Sequence, residues 1–382
     1  MKYKLKEIFD LQMGKTPARN NDKYWNSKDY KWISIADLTS TDKYINNTKE
    51  YISQSAVTES GIKIIPAHTV VMSFKLSIGK TAILSEDMYS NEAIMAFHDK
   101  HVVELLPEYI YYLIKAKNWN GGSNRAVMGQ TLNKATLSEI EVYIHTIEEQ
   151  RKIVKLMSSI EKVIDNRKEQ LQKLGDITRA RFVEMFGDPI INEKNWDAVK
   201  LNVACNRIGD GLHGTPKYDE DGVYPFINGN NLKDGVIEVT SITKMVNKET
   251  YKKHFITMNS NTILLSINGT LGKLALYNGE EVMLGKSVCY CNLKHEINRK
   301  FVYGVMNIDS FKSFLESNAT SSTIKNVGLK AIRGFKLILP PKELQNKYVD
   351  FVEQVNKSKF EVQKALDKAQ LLFDSLMQKY FG

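Results

Sequence analysis

The amino-acid sequence contains two copies of one pattern, and this internal repeat constrains the fold more than any other feature. The matching segments keep their order at an offset of 192 to 195 residues, which is typical of a duplicated unit. The matches pair residues 69–73 with 262–266, 78–80 with 271–273, Thr131 with Thr323, Leu137 with Leu329, Ile140 with Ile332, Gln150 with Gln345, and 185–187 with 380–382. A duplicated structural domain without a shared function would give the same pattern, so the repeat alone leaves the function open.

Each copy combines a strand-rich part with a long helix. Short β-branched runs between Gly, Asn and Asp turns predict strands in residues 1–146 and 188–340, with short helices near 108–117 and 299–315. Residues 147–187 and 341–382 contain almost no Gly or Pro and predict one long helix each. The sequence therefore predicts an α+β fold with two tandem globular domains, 1–146 and 188–340, each followed by a long helix.

The two predicted helices share a heptad spacing, which is typical of a coiled-coil seam. The seam of the second helix consists of Tyr348, Val352, Val355, Lys359, Val362, Leu366, Ala369, Phe373, Leu376 and Tyr380. The seam of the first consists of Ile153, Met157, Ile160, Ile164, Arg167, Leu171, Leu174, Thr178, Arg181 and Met185. Because the first helix leads into the second globular domain and the second brings the chain back, we expect antiparallel pairing over roughly 55 Å. Two amphipathic helices that each pack on their own domain are the alternative.

A pair of helices leaves apolar residues on its outer faces. Ile177, Phe182, Phe351 and Leu372 are expected there, and two helices cannot bury all of them against each other. These four residues therefore predict a surface that binds a protein partner.

The charge of the chain favours a polyanionic partner. The formal net charge is +9 with a pI near 9.1, which favours nucleic acid over an anionic membrane because no basic amphipathic helix or lipidation signal is present. Three cysteines are too few for a disulfide framework and indicate a reducing compartment. The first residues lack an apolar signal-peptide core and no apolar run approaches 18 residues, so we expect a cytoplasmic protein that does not span a membrane.

Polar residues suited to DNA are concentrated in the predicted loops. Asn and Gln side chains can bond adenine in two places, Arg and Lys can bond guanine, and Lys, Ser and Thr can hold phosphates. The candidates of the first domain are Lys15, Thr16, Arg19, Asn20, Lys75, Ser77, Lys80, Asn124, Arg125, Gln130 and Asn133. Those of the second are His213, Thr215, Lys217, Asn228, Asn230, Asn231, Asn268, Thr270, Lys273, Lys286, Ser321, Ser322 and Lys325. The equivalent loops 74–77 and 267–270 differ in sequence, which favours two different half-sites.

Motifs for catalysis are incomplete. The segments 79–81 and 285–287 end like a P-loop but carry Phe74 and Glu280 where its first glycine is needed. Cys289 and Cys291 have no second pair that would complete a metal site, and we predict no catalytic or metal-ligating residue. A nuclease, a nucleotide hydrolase and a coiled-coil scaffold, with or without DNA binding, remain the alternatives to a DNA-reading subunit.

The ordered motifs, given twice, resemble the specificity subunit of type I restriction–modification systems, the HsdS family. The resemblance rests on 14–17 and 214–216, 32–38 and 226–232, the segments from Ser73 to Lys80 and from Ser266 to Lys273, and the junction 338–345. It covers essentially the whole chain. The first junction lacks the family's Pro-Pro, and the second has Leu344-Gln345 where Glu-Gln is typical.

The resemblance implies a non-catalytic protein with two target-recognition domains that read the two halves of a bipartite DNA sequence. It also implies that the long helices dock two adenine methyltransferase subunits, which carry S-adenosylmethionine. A restriction subunit that uses ATP and Mg joins them where the organism has one.

Overall fold

The structure is a computed structural model that describes residues 1–75, 77–117, 119 and 132–382. The described chain forms two compact units. Unit 1 comprises Met1–Lys168 and Lys364–Gly382, and unit 2 comprises Glu169–Gln363. The candidate residues Asn124, Arg125 and Gln130 lie outside the described residues. Within the described part of the chain, no helix combines the length and apolar character that crossing a bilayer requires.

Unit 1 is built around a mixed five-stranded sheet. Its strands are β1 (Lys2–Lys4), β2 (Phe9–Met13), β3 (Tyr30–Ile33), β4 (Tyr44–Ile45), β5 (Glu50–Ile52), β6 (Val70–Ser73), β7 (Thr81–Leu84), β8 (Tyr89–Ser90), β9 (Ile94–Asp99) and β10 (Glu141–Tyr143). Its short helices are α1 (Leu5–Ile8), α2 (Asp22–Trp25), α3 (Ile35–Ser40), α4 (Gln54–Ser60), α5 (Pro107–Ala116) and α6 (Lys134–Ser138). The main sheet has the order β2-β9-β6-β7-β4, a smaller sheet has the order β5-β3-β8, and β1 pairs with β10.

The strands of the main sheet are apolar on both faces because each face meets a core. Val70 and Met72 of β6 pack in the same cluster as α5, whereas Val71 packs with Ile33 and Ile45 in a second cluster. Since successive side chains of a strand point to opposite faces, a sheet covered on both sides requires an uninterrupted apolar run.

Unit 2 repeats this arrangement. Its strands are β11 (Ala198–Lys200), β12 (Cys205–Asp210), β13 (Tyr224–Ile227), β14 (Leu232–Lys233), β15 (Val236–Ile237), β16 (Met245–Val246), β17 (Thr262–Ser266), β18 (Leu274–Leu276), β19 (Met283–Leu284), β20 (Val288–Leu293) and β21 (Lys336–Ile338). The order β12-β20-β17-β18 corresponds to β2-β9-β6-β7, the order β16-β13-β19 corresponds to β5-β3-β8, and β11 pairs with β21. Strands β14 and β15 form a hairpin, where unit 1 has the single strand β4.

The helices of unit 2 depart from the prediction at one place. Between the long helices α7 (Ile147–Phe186) and α13 (Lys342–Phe381) lie α8 (Leu201–Ala204), α9 (Lys248–Lys253), α10 (Arg299–Met306), α11 (Asp309–Ser317) and α12 (Leu329–Gly334). The single helix expected near 299–315 is therefore wrong, because α10 ends at the C-cap Asn307 and the extended backbone of Ile308 begins α11.

The long helices pair as an antiparallel coiled coil, as the heptads predict. In unit 1, Met157 and Ile160 near the start of α7 pack in one core with Phe373 and Met377 near the end of α13. In unit 2 the order is reversed, since residues near the end of α7 pack with residues near the start of α13. None of the predicted seam residues is fully exposed, including Arg167, Arg181 and Lys359.

The junction before each long helix is held by the same glutamine bond. The side-chain amide of Gln150 donates to the carbonyl of His145 at 3.0 Å, and that of Gln345 donates to the carbonyl of Pro340 at 2.8 Å. Both glutamines are buried. The same hydrogen bond therefore forms at both strand-to-helix junctions, although the two junctions differ in sequence.

Candidate nucleic-acid interface

Both units carry the same hairpin loop between neighbouring strands of the largest sheet. In unit 1 the loop joins β6 to β7, and the hydroxyl of Ser73 accepts a hydrogen bond of 3.0 Å from the backbone N–H of Lys80. In unit 2 the loop joins β17 to β18, and Ser266 accepts the same bond from Lys273 at 2.8 Å. A glycine with φ of 91° or 82° precedes each lysine, a conformation that favours glycine. The loop frame is therefore duplicated, whereas the residues at its tip differ.

The loops of unit 1 meet around the turn between β8 and β9. The backbone N–H of Lys15, in the loop after β2, donates to the carbonyl of Ser90 at 2.8 Å. The backbone N–H of Phe74, in the hairpin loop, donates to the carbonyl of Ala93 at 2.9 Å. The candidates of segments 15–20 and 75–80 thus lie on two loops that share one neighbour.

Several candidates of unit 1 already have partners within the fold. The guanidinium of Arg19 forms an ion pair with Glu50 through both of its terminal nitrogens and lies 3.9 Å above the ring of Trp25. Lys15 donates to the carbonyl of Ser60. Arg19 and Lys15 would have to break these contacts in order to bind DNA. They are therefore weaker candidates for DNA contacts than side chains that have no partner.

Asn133 has a local structural role. Its Oδ1 accepts a 3.0 Å bond from the backbone N–H of Thr136 and caps the N-terminus of α6. In contrast, Asn20, Lys75, Ser77 and Lys80 are exposed, and their side-chain polar atoms have no hydrogen-bond partner among the described residues. Lys75 lies 5.5 Å from the centre of the Phe74 ring. These four are the available polar side chains of the candidate surface in unit 1.

The loops of unit 2 meet around Ser287. Its hydroxyl donates to Oδ1 of Asn228 at 2.9 Å and accepts from the backbone N–H of Gly229 at 3.0 Å. Its carbonyl accepts from the backbone N–H of Ile267 at 2.9 Å, which attaches the hairpin loop. The segment 228–231 and the hairpin loop are therefore neighbours.

Two further segments extend the same surface. The backbone N–H of Lys286 donates to the carbonyl of Leu212 at 3.0 Å, which brings the loop 212–217 alongside. The backbone N–H of Gly269 donates to the carbonyl of Lys325 at 2.9 Å, and Asn268 donates to Asn326 at 3.2 Å. All the segments that carry candidates in unit 2 are thus linked by direct hydrogen bonds.

The candidates of unit 2 divide into bonded and available side chains. Asn231 donates to the carbonyl of Glu238 and to Thr243, His213 is bonded to Asp210 at 2.7 Å, and Ser322 donates to the carbonyl of Ile324. Among the described residues, no side-chain partner is found for Thr215, Lys217, Asn230, Thr270, Lys273, Lys286, Ser321 and Lys325. All of these except the half-buried Lys273 are exposed.

Three residues of these loops were missed in the sequence. Ser287 and Asn326 position the loops that carry Asn228 and Asn268, and Glu92 is bonded to Thr16. The repeat could have indicated Glu92, because it occupies the position in unit 1 that Lys286 occupies in unit 2. Nothing local marks Ser287 or Asn326, since their partners are far away in the chain.

The expected outer-face residues of the long helices differ in exposure. Ile177 and Leu372 are each 50% exposed, and Phe351 is half-buried beneath Arg181. The expectation for Phe182 is wrong, because this ring is fully buried. It packs against Phe186 and Tyr348 at ring distances of 5.0 and 5.3 Å, and so belongs to the core of unit 2.

The described part of each unit shows no arrangement of metal-ligating residues. Among the described residues, no three His, Cys, Asp or Glu side chains lie close enough together to hold one ion. Cys205, Cys289 and Cys291 are buried free thiols. The bond to Cys205 lowers the pKa of Cys291, but the bond to Cys289 and burial outweigh this effect and raise that pKa well above its ordinary value.

Comparison with known proteins gives one family. A family model for the type I restriction modification DNA specificity domain matches residues 1–175 and 193–371. The type I restriction enzyme MjaIX specificity subunit of Methanocaldococcus jannaschii is 25% identical over an alignment of 403 residues, which covers 98% of this chain and 91% of the relative. The EcoR124I/EcoR124II specificity subunit of Escherichia coli is 25% identical over 180 residues, covering 44% of this chain and 43% of the relative.

A solved structure shares the fold. This structure comes from a study of complex assembly and conformational transition of the type I R-M system, and it matches with a TM-score of 0.59 at 16% sequence identity. The match covers 100% of this chain and 97% of the other chain. At this identity the likeness concerns the fold alone.

Proposed function

This chain belongs to the family of type I restriction–modification DNA specificity subunits, and from this premise we propose that it reads a bipartite DNA target and docks two adenine methyltransferase subunits. Members of the family are non-catalytic DNA-recognition subunits, so DNA and the other subunits of the restriction–modification complex are its partners. In this proposal residues 1–146 and 188–340 are target-recognition domains, and 147–187 and 341–382 are spacer helices. The methyltransferases supply S-adenosylmethionine chemistry, and a restriction subunit, where present, supplies ATP- and Mg-dependent chemistry.

One observation carries the bipartite part of the proposal: the hairpin loop has one frame and two different tips. The Ser73–Lys80 and Ser266–Lys273 bonds close the base of the loop in the same way in each unit. Because the tips present Lys75 and Ser77 in one unit and Asn268 and Thr270 in the other, they offer different hydrogen-bonding groups to a base edge. Two copies of one frame with different tips are suited to two different half-sites.

The docking part of the proposal rests on apolar residues that recur between the long helices. Leu156 is 39% exposed on α7, and its repeat equivalent on α13 is the half-buried Phe351. Ile177 and its equivalent Leu372 are exposed to the same extent. A patch that occurs twice on one chain favours two copies of one partner, one for each patch.

The test measures binding of the full-length chain to duplexes in which one half-site at a time is randomised. Replacing Asn268 and Thr270 together by Ala should alter or weaken the base preference of one half-site only. Replacing Lys75 and Ser77 should affect only the other, with a loss of about 1–3 kcal/mol for each base pair that is no longer read.

Lys273→Ala is the matched control in the same loop. If its ammonium group binds phosphate, this variant should bind every sequence more weakly, reduce the salt dependence by about one unit of slope and leave the base preference unchanged. A loop change in unit 2 that shifts the preference in both half-sites equally would contradict two independent readers.

A further inference from the structure

The turn before the strand β9 in unit 1 and the turn before β20 in unit 2 carry opposite charges at the same position. The backbone N–H of Asn91 donates to the carbonyl of Ile33 at 3.0 Å, and that of Gly285 donates to the carbonyl of Ile227 at 2.8 Å. Two residues later, the carbonyls of Ala93 and Ser287 accept the equivalent bonds from the hairpin loops. The residue between these fixed points is Glu92 in unit 1 and Lys286 in unit 2, and both are exposed.

Glu92 is held in place by its neighbours. Its carboxylate accepts a hydrogen bond from the hydroxyl of Thr16, in the loop after β2. This bond, with the nearby charges of Lys75 and Arg19, holds the pKa of Glu92 below its ordinary value. Arg19 is itself paired with Glu50, so it does not neutralise Glu92 by a direct contact. A carboxylate in a defined orientation therefore lies between the two loops that carry the available polar residues of unit 1.

A carboxylate at this place restricts what the surface can bind. Phosphate oxygens repel it, and the sugar–phosphate backbone of DNA offers no hydrogen-bond donor to it. In the major groove the donors are the amino groups of cytosine and adenine. Adenine presents the acceptor N7 beside its amino group, which repels a carboxylate, whereas cytosine presents its N4 amino group without a neighbouring acceptor. Cytosine is thus the base that a carboxylate is best suited to bind.

We propose that Glu92 is a specificity-determining residue that accepts a hydrogen bond from the N4 amino group of a cytosine in the half-site read by unit 1. The inference rests on the proposed function, since it requires that unit 1 reads a half-site. Thr16 is a positioning residue that orients the carboxylate. At the equivalent position of unit 2, Lys286 can only donate hydrogen bonds. The two units would therefore select different groups there, a donor on the base in unit 1 and an acceptor on the base in unit 2.

The test determines the base preference of the full-length chain at every position of a randomised duplex, for the wild type and two substitutions. Wild type should prefer cytosine at one position of the first half-site. Glu92→Gln can both donate and accept, so its preference should move to adenine. Glu92→Lys can only donate, so its preference should move to guanine. In each variant, the affinity for the cytosine duplex relative to that for the newly preferred base should fall about tenfold or more from its wild-type value. The base preference at the other half-site should not change.

Glu141→Gln is the control for the loss of one negative charge. Glu141 is an exposed residue of β10, the strand that pairs with β1 rather than with the loops, so this variant should keep the wild-type preference. If Glu92→Gln and Glu92→Lys bind all sequences more weakly or more tightly with an unchanged preference, Glu92 does not read a base and the inference is overturned. If the wild type has no base preference in either half-site, the proposed function itself fails. Thermal unfolding of each variant separates a folding defect from a change in recognition.

Discussion

Asparagine side chains have two different tasks in the loops of unit 2. Asn228 and Asn231 hold the backbone of the short turn between β13 and β14, since Asn231 accepts from the backbone N–H of Asn228 at 3.0 Å. Asn230 lies between them, is exposed and has no side-chain partner among the described residues. An asparagine can therefore bind adenine only where the fold does not already use both polar atoms of its side chain.

His145 shows how burial at a single residue makes stability depend on pH. Its Nδ1 lies 2.7 Å from the hydroxyl of Tyr109, and the rings of Tyr143 and Phe381 surround it. Burial lowers the pKa of this imidazole below its ordinary value, against the opposing effect of the nearby Glu149. Burial also lowers the pKa of His98.

A lowered pKa in the folded state has a definite sign. Between the folded pKa and the ordinary value of about 6.5, the unfolded chain binds more protons than the folded chain. The stability that neutral His145 contributes is therefore complete above about pH 6.5 and is lost as pH falls through the folded pKa. His145→Gln keeps an acceptor for Tyr109 without titrating, so its unfolding temperature should fall less than that of the wild type between pH 7.5 and 5.5. Parallel losses in both proteins would contradict this role.

At the scale of elements, the long helices use apolar residues for two purposes that heptad spacing does not separate. Seam residues such as Met157 and Phe373 fill the cores of the units, and so does Phe182, which the outer-face prediction had placed elsewhere. Phe182 is buried because the end of α7 packs against α10 as well as α13, with its ring 5.9 Å from that of Phe301. A third element thus covers a face that two paired helices alone would expose.

Phe182→Ala should therefore mainly lower the stability of the fold, whereas Ile177→Ala should mainly weaken binding of the partner. Removing the buried ring should destabilise unit 2 by about 3–5 kcal/mol, because it leaves a cavity. Removing the half-exposed Ile177 should change stability by no more than about 0.5 kcal/mol, and should instead weaken binding of the methyltransferase subunit. Denaturant unfolding and a binding titration on the same two variants measure both effects. Equal loss of stability in the two variants would show that Ile177 belongs to the core.

At the scale of the whole molecule, the repeat predicts the stoichiometry of the complex. Ile177 and Leu372 occupy equivalent positions of the two copies, and both are exposed. We expect each of these two residues to form part of a separate docking surface. Wild type mixed with excess methyltransferase should therefore give one chain with two methyltransferases in analytical ultracentrifugation. Ile177→Glu and Leu372→Glu should each give a one-to-one complex, and the double variant should give none.

Val102→Glu is the control, since Val102 is 58% exposed in unit 1 outside the long helices. It should keep the one-to-two complex of the wild type. A ceiling of one methyltransferase on the wild-type chain would rule out two equivalent docking surfaces.

The sequence alone determined the features that depend on regular spacing. Seam residues recur every three or four positions and strands alternate or run apolar, so the repeat, the α+β class and the antiparallel coiled coil could be predicted from local patterns. The tertiary structure alone decided which polar side chains are available, because that depends on partners far away in the chain. Asn268 bonds to Asn326 across 58 residues and Asn228 bonds to Ser287 across 59. The burial of Phe182 likewise depends on its packing against α10. The residue spacing within α7 cannot predict this contact, because packing between elements is a property of the folded chain.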